Sequence, residues 1–212
     1  MHDGPATSHA HGGDRRRLGW ALAITALFMV VEVLGGLWSG SLALLADAGH
    51  MVTDTASLAL AWFAAWLSER PTSSPRADGH GRAQPLAAFL NSLALFVVVG
   101  WIAVEAVQRL VEPRQIAGAT MLAIALLGLG ANLIVYRILH GAGSGNLNVE
   151  AARLHVLGDL FGSIAAAAAA IVILFTGWLP VDALLSLLVA ALILRSAWPL
   201  LRRSTRLLLH GA

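Results

Sequence analysis

The sequence predicts an all-α integral membrane protein with six transmembrane helices. Of its 212 residues, 58% are hydrophobic and 12% are charged, whereas soluble domains have about 45–50% apolar and about 25% charged residues. The mean hydropathy of +0.74 excludes a disordered chain, because disorder requires low hydrophobicity. Apolar runs long enough to cross a bilayer recur along the whole chain.

Each window of about twenty predominantly apolar residues predicts one membrane-spanning helix. Six windows occur, at about 18–38, 42–67, 85–108, 117–139, 149–175 and 180–200. Because the first is long and more spans follow it, we expect it to be retained rather than cleaved as a signal peptide. The predicted layout is a flexible, His-containing tail over 1–17, a six-helix transmembrane domain over 18–207 and a short tail over 208–212.

The arginines predict the orientation of the chain, since short cytoplasmic loops carry the positive excess. Twelve of the fourteen fall in the N-terminal tail, the second and fourth connections and the C-terminal end. Arg109 and Arg114, in the third connection, are the other two. Both termini are therefore expected in the cytoplasm.

The composition also excludes several kinds of site. The chain has no cysteine, so disulfides, thiolate metal sites and cysteine nucleophiles are ruled out. Any metal must be bound by His, Asp or Glu. The basic residues only slightly outnumber the acidic ones, which indicates no nucleic-acid surface.

Three ionisable residues stand in the second predicted span. A charged Asp at mid-bilayer costs roughly 2.5–3.5 kcal/mol, so Asp47, His50 and Asp54 need compensation. His50 and Asp54 are four residues apart and Asp47 is three residues before His50, which puts all three on one face of a helix. They form one polar stripe on an otherwise apolar helix.

The fifth span repeats the HxxxD spacing with His155 and Asp159. Two such helices facing each other would supply two imidazole nitrogens and two carboxylate oxygens, a tetrahedral shell suited to Zn²⁺. The alternative is purely structural, with these side chains pairing with one another or with backbone to tie the helices together. Matching ligand types and spacing in two spans favour the metal site.

Other polar residues are assigned lesser roles. Asp47 is either a ligand or a structural or proton-handling group. Asn91 and Asn132, in the third and fourth spans, are expected to form interhelical hydrogen bonds or to support the ligands. The remaining acidic candidates lie near the membrane interfaces or are paired with other groups, and they are Glu32, Glu105 and Asp182.

The histidines outside these spans are weaker candidates for metal ligands. The tail with His2, His9 and His11 is either a weak metal-binding tract or a solvated segment. His80 is expected at the surface, with a peripheral loop site using Asp78 as the alternative. His140 and His210 are also isolated surface candidates.

Several sequence motifs resemble those of a known protein family. The stretch SGSLALLADAGHMVTDTASLALA resembles the second-span signature of cation diffusion facilitators. Further similar motifs occur in the expected order, namely GHGRAQPLAAFLN, Asn132, LHVLGDLFGS and VDALLSLLVAALIL. Gln84 departs from the family pattern, which has an acidic residue there.

The resemblance implies a cation-efflux transmembrane domain whose transport site falls on His50, Asp54, His155 and Asp159. It implies export of cytosolic Zn²⁺ in exchange for protons, with no prosthetic group. Cd²⁺, Co²⁺, Ni²⁺ and Fe²⁺ stay open as cargo, because the same ligands accept them. We expect a cell membrane, specifically a bacterial inner membrane, and a homodimer through transmembrane helices. Family members usually continue into a cytoplasmic domain, and the chain resembles either a member without it or a truncated one.

Two other classes of function compete with transport. An intramembrane metalloenzyme would need an open coordination position and a general base, but the sequence contains neither HExxH nor GxSxG. A membrane scaffold that binds its ion and never moves it is the third possibility.

Overall fold

The computed structural model describes residues 6–52, 55, 59, 83–140 and 147–210. Within these ranges the chain forms six α-helices. We number them α1 to α6 in chain order, and their bounds are Ala6–Ser39, Leu42–Val52, Ala83–Val111, Gly118–His140, Leu147–Thr176 and Pro180–His210. Among the described residues, all of these helices but α2 contain an apolar stretch long enough to span a membrane. The predicted all-α membrane fold is confirmed.

The first and last helices of the chain, α1 and α6, are longer than the predicted spans. Helix α1 begins at Ala6, although its membrane-spanning stretch begins at Arg16. A helix that has already formed can be extended at its end without the cost of nucleating a new helix. Because Arg and Ala also favour the helical conformation, the helix continues into the predicted tail. Helix α6 likewise continues past Pro199 to His210.

Exposed tryptophans lie near both ends of the apolar stretches. Trp20 and Trp198 lie towards the start of α1 and the end of α6, while Trp38 and Trp178 lie at the opposite end of the bundle. Trp20 and Trp38 are eighteen residues apart, or about 27 Å along a helix. This separation is close to the thickness of the hydrocarbon core, and tryptophan favours its two interfaces.

The helices pack in an uneven pattern. Helix α3 packs mainly along α6, and α4 packs along both α5 and α1. The largest apolar cluster among the described residues joins α2, α4 and α5, and most of its buried side chains are alanines. Its buried members are Ala43, Leu44, Met121, Ala125, Ala166, Ala167, Ala169, Ala170 and Ile173.

Glycines allow three of these helices to approach closely. A Cβ atom at Gly128 of α4 would lie 2.5 Å from the Phe28 ring of α1, and one at Gly35 would lie 2.6 Å from Ile124. A Cβ at Gly118 would lie 3.1 Å from Leu174 of α5. No real Cβ fits at the two shorter distances, so these positions favour glycine for steric reasons.

Gly36 and Gly40 form a GxxxG pattern at the end of α1, and both make contacts within the chain. A Cβ at Gly36 would lie 2.9 Å from the Leu45 side chain of α2. Gly40 has φ of 74°, a left-handed conformation that lets the chain turn sharply from α1 into α2. We call the end of the bundle that holds this turn the Gly40 end.

A buried polar cluster holds α2 at the Gly40 end. The carboxylate of Asp182, in the first turn of α6, accepts hydrogen bonds from the Ser41 hydroxyl at 2.5 Å and from the backbone N–H groups of Leu42 at 2.8 Å and Ala43 at 3.2 Å. Arg109 of α3 donates to the backbone carbonyl of Gly40. The first N–H groups of α2, which have no partner within their own helix, are thus satisfied by another helix.

Candidate metal centre

Three of the four predicted ligands lie together in the structure. His50 of α2 and His155 and Asp159 of α5 each offer a ligand atom, and these atoms all lie within 4.8 Å of one another. The imidazole rings of His50 and His155 have centroids 5.4 Å apart and are tilted by 55°. His155 Nε2 lies 3.9 Å from Asp159 Oδ1 on the next turn of the same helix.

The helix packing explains why these side chains meet. His155 and Asp159 share a face of α5 because residues four apart are neighbours on a helix. Alanines farther along α5 keep that helix narrow where it packs against Ala43 and Leu44 of α2. The close approach of the backbones brings His50, about 9 Å farther along α2 than Leu44, level with the pair on α5.

The ligand atoms suit a divalent cation that is intermediate between hard and soft, such as zinc. Imidazole nitrogen and carboxylate oxygen are the ligands that zinc accepts in the absence of cysteine. The Asp159 side chain is 5% exposed and the His155 side chain is 32% exposed, so the cluster has a closed side and a more open side. Asp54, the fourth predicted ligand, lies outside the described residues.

Asp47 occupies a distinct position one turn before His50. It is 9% exposed, and a Cβ built at Gly162 of α5 would lie 3.3 Å from its Oδ1 atom. Its carboxyl group lies beside that of Glu32 on α1, which is 2% exposed. Two buried carboxyl groups from different helices therefore lie next to the metal ligands.

Asn132 lies close to this region on α4. Its side-chain amide donates a hydrogen bond of 3.3 Å to the Ser163 hydroxyl of α5. Asn132 is buried at 2% exposure, and the bond ties α4 to the ligand-bearing helix. The second predicted amide, Asn91, belongs to α3, and its side chain lies outside the described residues.

The other histidine candidates do not enter the described cluster. His140, at the end of α4, is exposed, and its ring stacks on Tyr136 at a centroid distance of 5.7 Å. His2, His80 and Asp78 lie outside the described residues. The backbone of His9, His11 and His210 is helical, but their side chains lie outside the described part of the chain.

Two of the acidic candidates are deeply buried in the structure. Asp182 and Glu32 are 0% and 2% exposed, which is a deeper position than an interfacial residue would have. Glu105, the third of these, forms ion pairs with Arg109 at 3.1 Å and Arg114 at 2.9 Å. The signal for Asp182 was its position in the first turn of α6, but its partners are 139–141 residues away in the chain.

Known proteins resemble nearly the whole chain. The zinc transporter ZitB of Pectobacterium atrosepticum is 51% identical over 205 residues, which cover 96% of this chain and 64% of that protein. The metal cation efflux system protein CzcD of Cupriavidus metallidurans is 44% identical, with 98% and 66% covered. A cadmium, cobalt and zinc/H⁺-K⁺ antiporter of Bacillus velezensis is 38% identical, with 96% and 66% covered.

The chain therefore spans about two thirds of the length of these relatives. Residues 20–209 match the family described as the cation efflux transmembrane domain. That range contains every predicted ligand, helices α2 to α5 and most of α1 and α6. The chain belongs to the cation efflux family.

Proposed function

We propose that the protein exports divalent metal cations, with Zn²⁺ as the principal cargo, from the cytosol in exchange for protons. The observation that carries this proposal is the convergence of His50, His155 and Asp159 between α2 and α5. The cluster lies within the apolar stretch of a membrane protein, where ionisable groups mark ion pathways. The names of the relatives, which include zinc, cadmium and cobalt transport, support the same class of cargo.

The ligand set supports zinc without excluding other metals. Two imidazoles and one or two carboxylates match tetrahedral zinc, with Asp54 as the proposed fourth ligand. Cd²⁺, Co²⁺, Ni²⁺ and Fe²⁺ accept the same donor atoms, so their relative rates are set by geometry and availability rather than by ligand type. The metal is cargo, and the proposal requires no prosthetic group.

Exchange for protons follows from the chemistry of the ligands. Zinc binds neutral imidazole and ionised carboxylate, so protons and metal compete for the same atoms. The buried carboxyl groups of Asp47 and Glu32 lie beside the site and offer further positions for a proton. These features support a cycle in which protonation on the far side releases the ion and deprotonation in the cytosol restores the site. One relative is named as an H⁺-K⁺ antiporter.

The proposal includes a membrane and an orientation. The protein is placed in a cell membrane, a bacterial inner membrane as the organisms of the relatives suggest, with both termini in the cytoplasm. The Gly40 end, which carries Arg109 and Arg114, then faces outward. A homodimer formed through the membrane helices is part of the same proposal.

Zinc flux in proteoliposomes tests the function against its two competitors. The purified chain should move zinc across sealed vesicles, reported by a trapped zinc-sensitive dye, at a rate that depends on Asp159. A metal-binding scaffold would bind zinc without flux, and a metalloenzyme would show neither flux nor dependence on a gradient. The His140→Ala variant is the matched control, because that residue is exposed and lies outside the cluster.

A further inference from the structure

An apolar recess of about 270 Å³ lies between helices α1, α2 and α3. It is lined by one face of α2 that includes Leu45, Gly49 and Val52, by one face of α3 and by Val33 of α1. Apart from the indole of Trp101, none of the side chains described around it carries a hydrogen-bond donor or acceptor. The recess is therefore separate from the clustered metal ligands, none of which lines it.

Small residues create the recess, and Gly49 is one of them. A Cβ at Gly49 would lie 3.4 Å from the Val98 side chain of α3, which is an ordinary van der Waals distance. At Gly36, by contrast, a Cβ would lie only 2.9 Å from Leu45. Packing of α2 against α3 thus does not require glycine at position 49, although glycine is less favourable than alanine within a helix. Its effect is to widen the recess.

The recess lies at the depth of the middle of the bilayer. Trp101 is the tenth residue of the 20-residue apolar stretch Ser92–Val111, which places it about 15 Å from either end. Half the thickness of the hydrocarbon core is also about 15 Å. Trp101 and Val98 both line the recess and are both exposed on the outer surface of the helices. The recess therefore opens sideways, where the surroundings are acyl chains.

The size and polarity of the recess select its occupant. Water needs polar partners, whereas an apolar cavity of about 150 Å³ stays dry and can hold benzene. A recess of about 270 Å³ therefore has room for a short length of hydrocarbon chain. A helix from a second copy is about 10–12 Å across and is too wide for this volume. The recess also falls far short of the roughly 800 Å² per partner that a stable protein interface buries.

We propose that this recess binds one acyl chain of a bilayer lipid, with the end of the chain between Gly49 of α2 and Val98 of α3. His50 follows Gly49 directly but lies on a different side of α2, because successive residues of a helix are about 100° apart. Its ring meets that of His155 on α5. The bound chain thus contacts the helix that carries His50 on a side that the metal does not use. The proposal is independent of the proposed function.

Photoreactive lipids test the proposal on the unmodified chain. The purified protein is placed in vesicles that contain a phosphatidylcholine with a carbene-generating group at the end of one acyl chain. After illumination, peptide mapping should find label on residues 45–49 of α2, which are buried or half-buried. A second lipid with the same group beside the ester carbon should label this segment several-fold less, because that carbon stays near the interface. Absence of label from the first lipid, or equal labelling by both, would overturn the proposal.

Two neighbouring valines of α3 provide a matched pair of variants. Val98→Trp places an indole in the recess, whereas Val97 is more exposed and does not line it. Val98→Trp should lower the labelling of residues 45–49 several-fold, and Val97→Trp should leave it at the wild-type level. Equal labelling of the two variants would contradict the proposal. So would protection of wild type that disappears on dilution into excess lipid, because a second copy would then fill the recess. The comparison of the two lipids decides the proposal even if Val98→Trp does not fold.

Discussion

The carboxylate of Asp182 lies 2.5 Å from the hydroxyl oxygen of Ser41, although 141 positions separate the two residues in the chain. With its bonds to the N–H groups of Leu42 and Ala43, Asp182 caps helix α2 from the start of helix α6. A capping residue normally belongs to the helix that it caps. Here the cap also fixes where α2 begins relative to α6, and thereby the level of His50 in the bundle.

Loss of this cap should destabilise the fold. Asp182→Ala removes the acceptor for three buried donors, and loss of a helix cap costs about 0.5–2 kcal/mol. We expect a lower midpoint of thermal unfolding in detergent for the alanine variant. Asp182→Asn keeps one side-chain oxygen as an acceptor, so its unfolding midpoint should lie between those of wild type and Asp182→Ala. Equal midpoints for wild type and Asp182→Ala would show that the cap contributes nothing to stability.

Two glycines on α4 offer a matched pair for the packing of α1 against α4. Gly128→Ala places a Cβ 2.5 Å from the Phe28 ring, whereas a Cβ at Gly130 meets nothing within 4 Å. Overpacking of this kind costs about 1–3 kcal/mol, so Gly128→Ala should lower the unfolding midpoint.

Gly130→Ala should leave that midpoint unchanged or raise it, because alanine favours helix. Adding Phe28→Leu to Gly128→Ala should recover part of the loss. If both single variants unfolded at the same temperature, the close approach of α1 and α4 would be in doubt.

The three clustered ligands should act as one site. Replacing His50, His155 or Asp159 by alanine should lower zinc affinity by at least about tenfold, the smaller effect reported for residues that only support metal ligands. Isothermal titration in detergent measures the affinity, and vesicle flux measures the transport. His140→Ala should match wild type in both assays. Zinc affinity within a factor of two of wild type, about 0.4 kcal/mol, in Asp159→Ala would remove that carboxylate from the site.

Zinc movement should be coupled to a counterflow of protons. Below neutrality protons compete with zinc for imidazole, so acid on the receiving side should speed release and acid on the supplying side should slow loading. The measurement combines a zinc dye with a pH dye inside vesicles, with the gradient imposed in either direction. A zinc flux that neither responds to the gradient nor changes the internal pH would indicate a uniporter.

The two termini should lie on the side opposite the Gly40 end of the membrane. A single cysteine at Ser8 and another at Gln115, which is exposed in the α3–α4 connection, should react with an impermeant thiol reagent from opposite faces of oriented vesicles. Because the chain has no native cysteine, each signal comes from one position. The predicted topology places three membrane crossings between the two positions. Reaction of both cysteines from the same face would show that this number is wrong.

Most of the fold could be predicted because it depends on local properties of the chain. Length and apolarity predict each membrane span separately, and the five complete spans that the structure describes agree with the predicted windows. The HxxxD spacing predicts that His155 and Asp159 share a face, since it follows from helix geometry alone. The predicted start of α1 was too late, because the helix continues beyond the apolar stretch that the windows detect.

By itself the sequence determined the number of apolar segments, the absence of cysteine chemistry and the residue types that a metal could use. Only the tertiary structure decided which helices are in contact and which residues meet. In it Asp182 caps α2, Glu32 lies beside Asp47, and the Phe28 ring packs against Gly128. Hydropathy cannot distinguish these arrangements, because in a bilayer an apolar helix gains as much from lipid as from a neighbouring helix. Close packing of small residues and buried hydrogen bonds between distant parts of the chain make that choice.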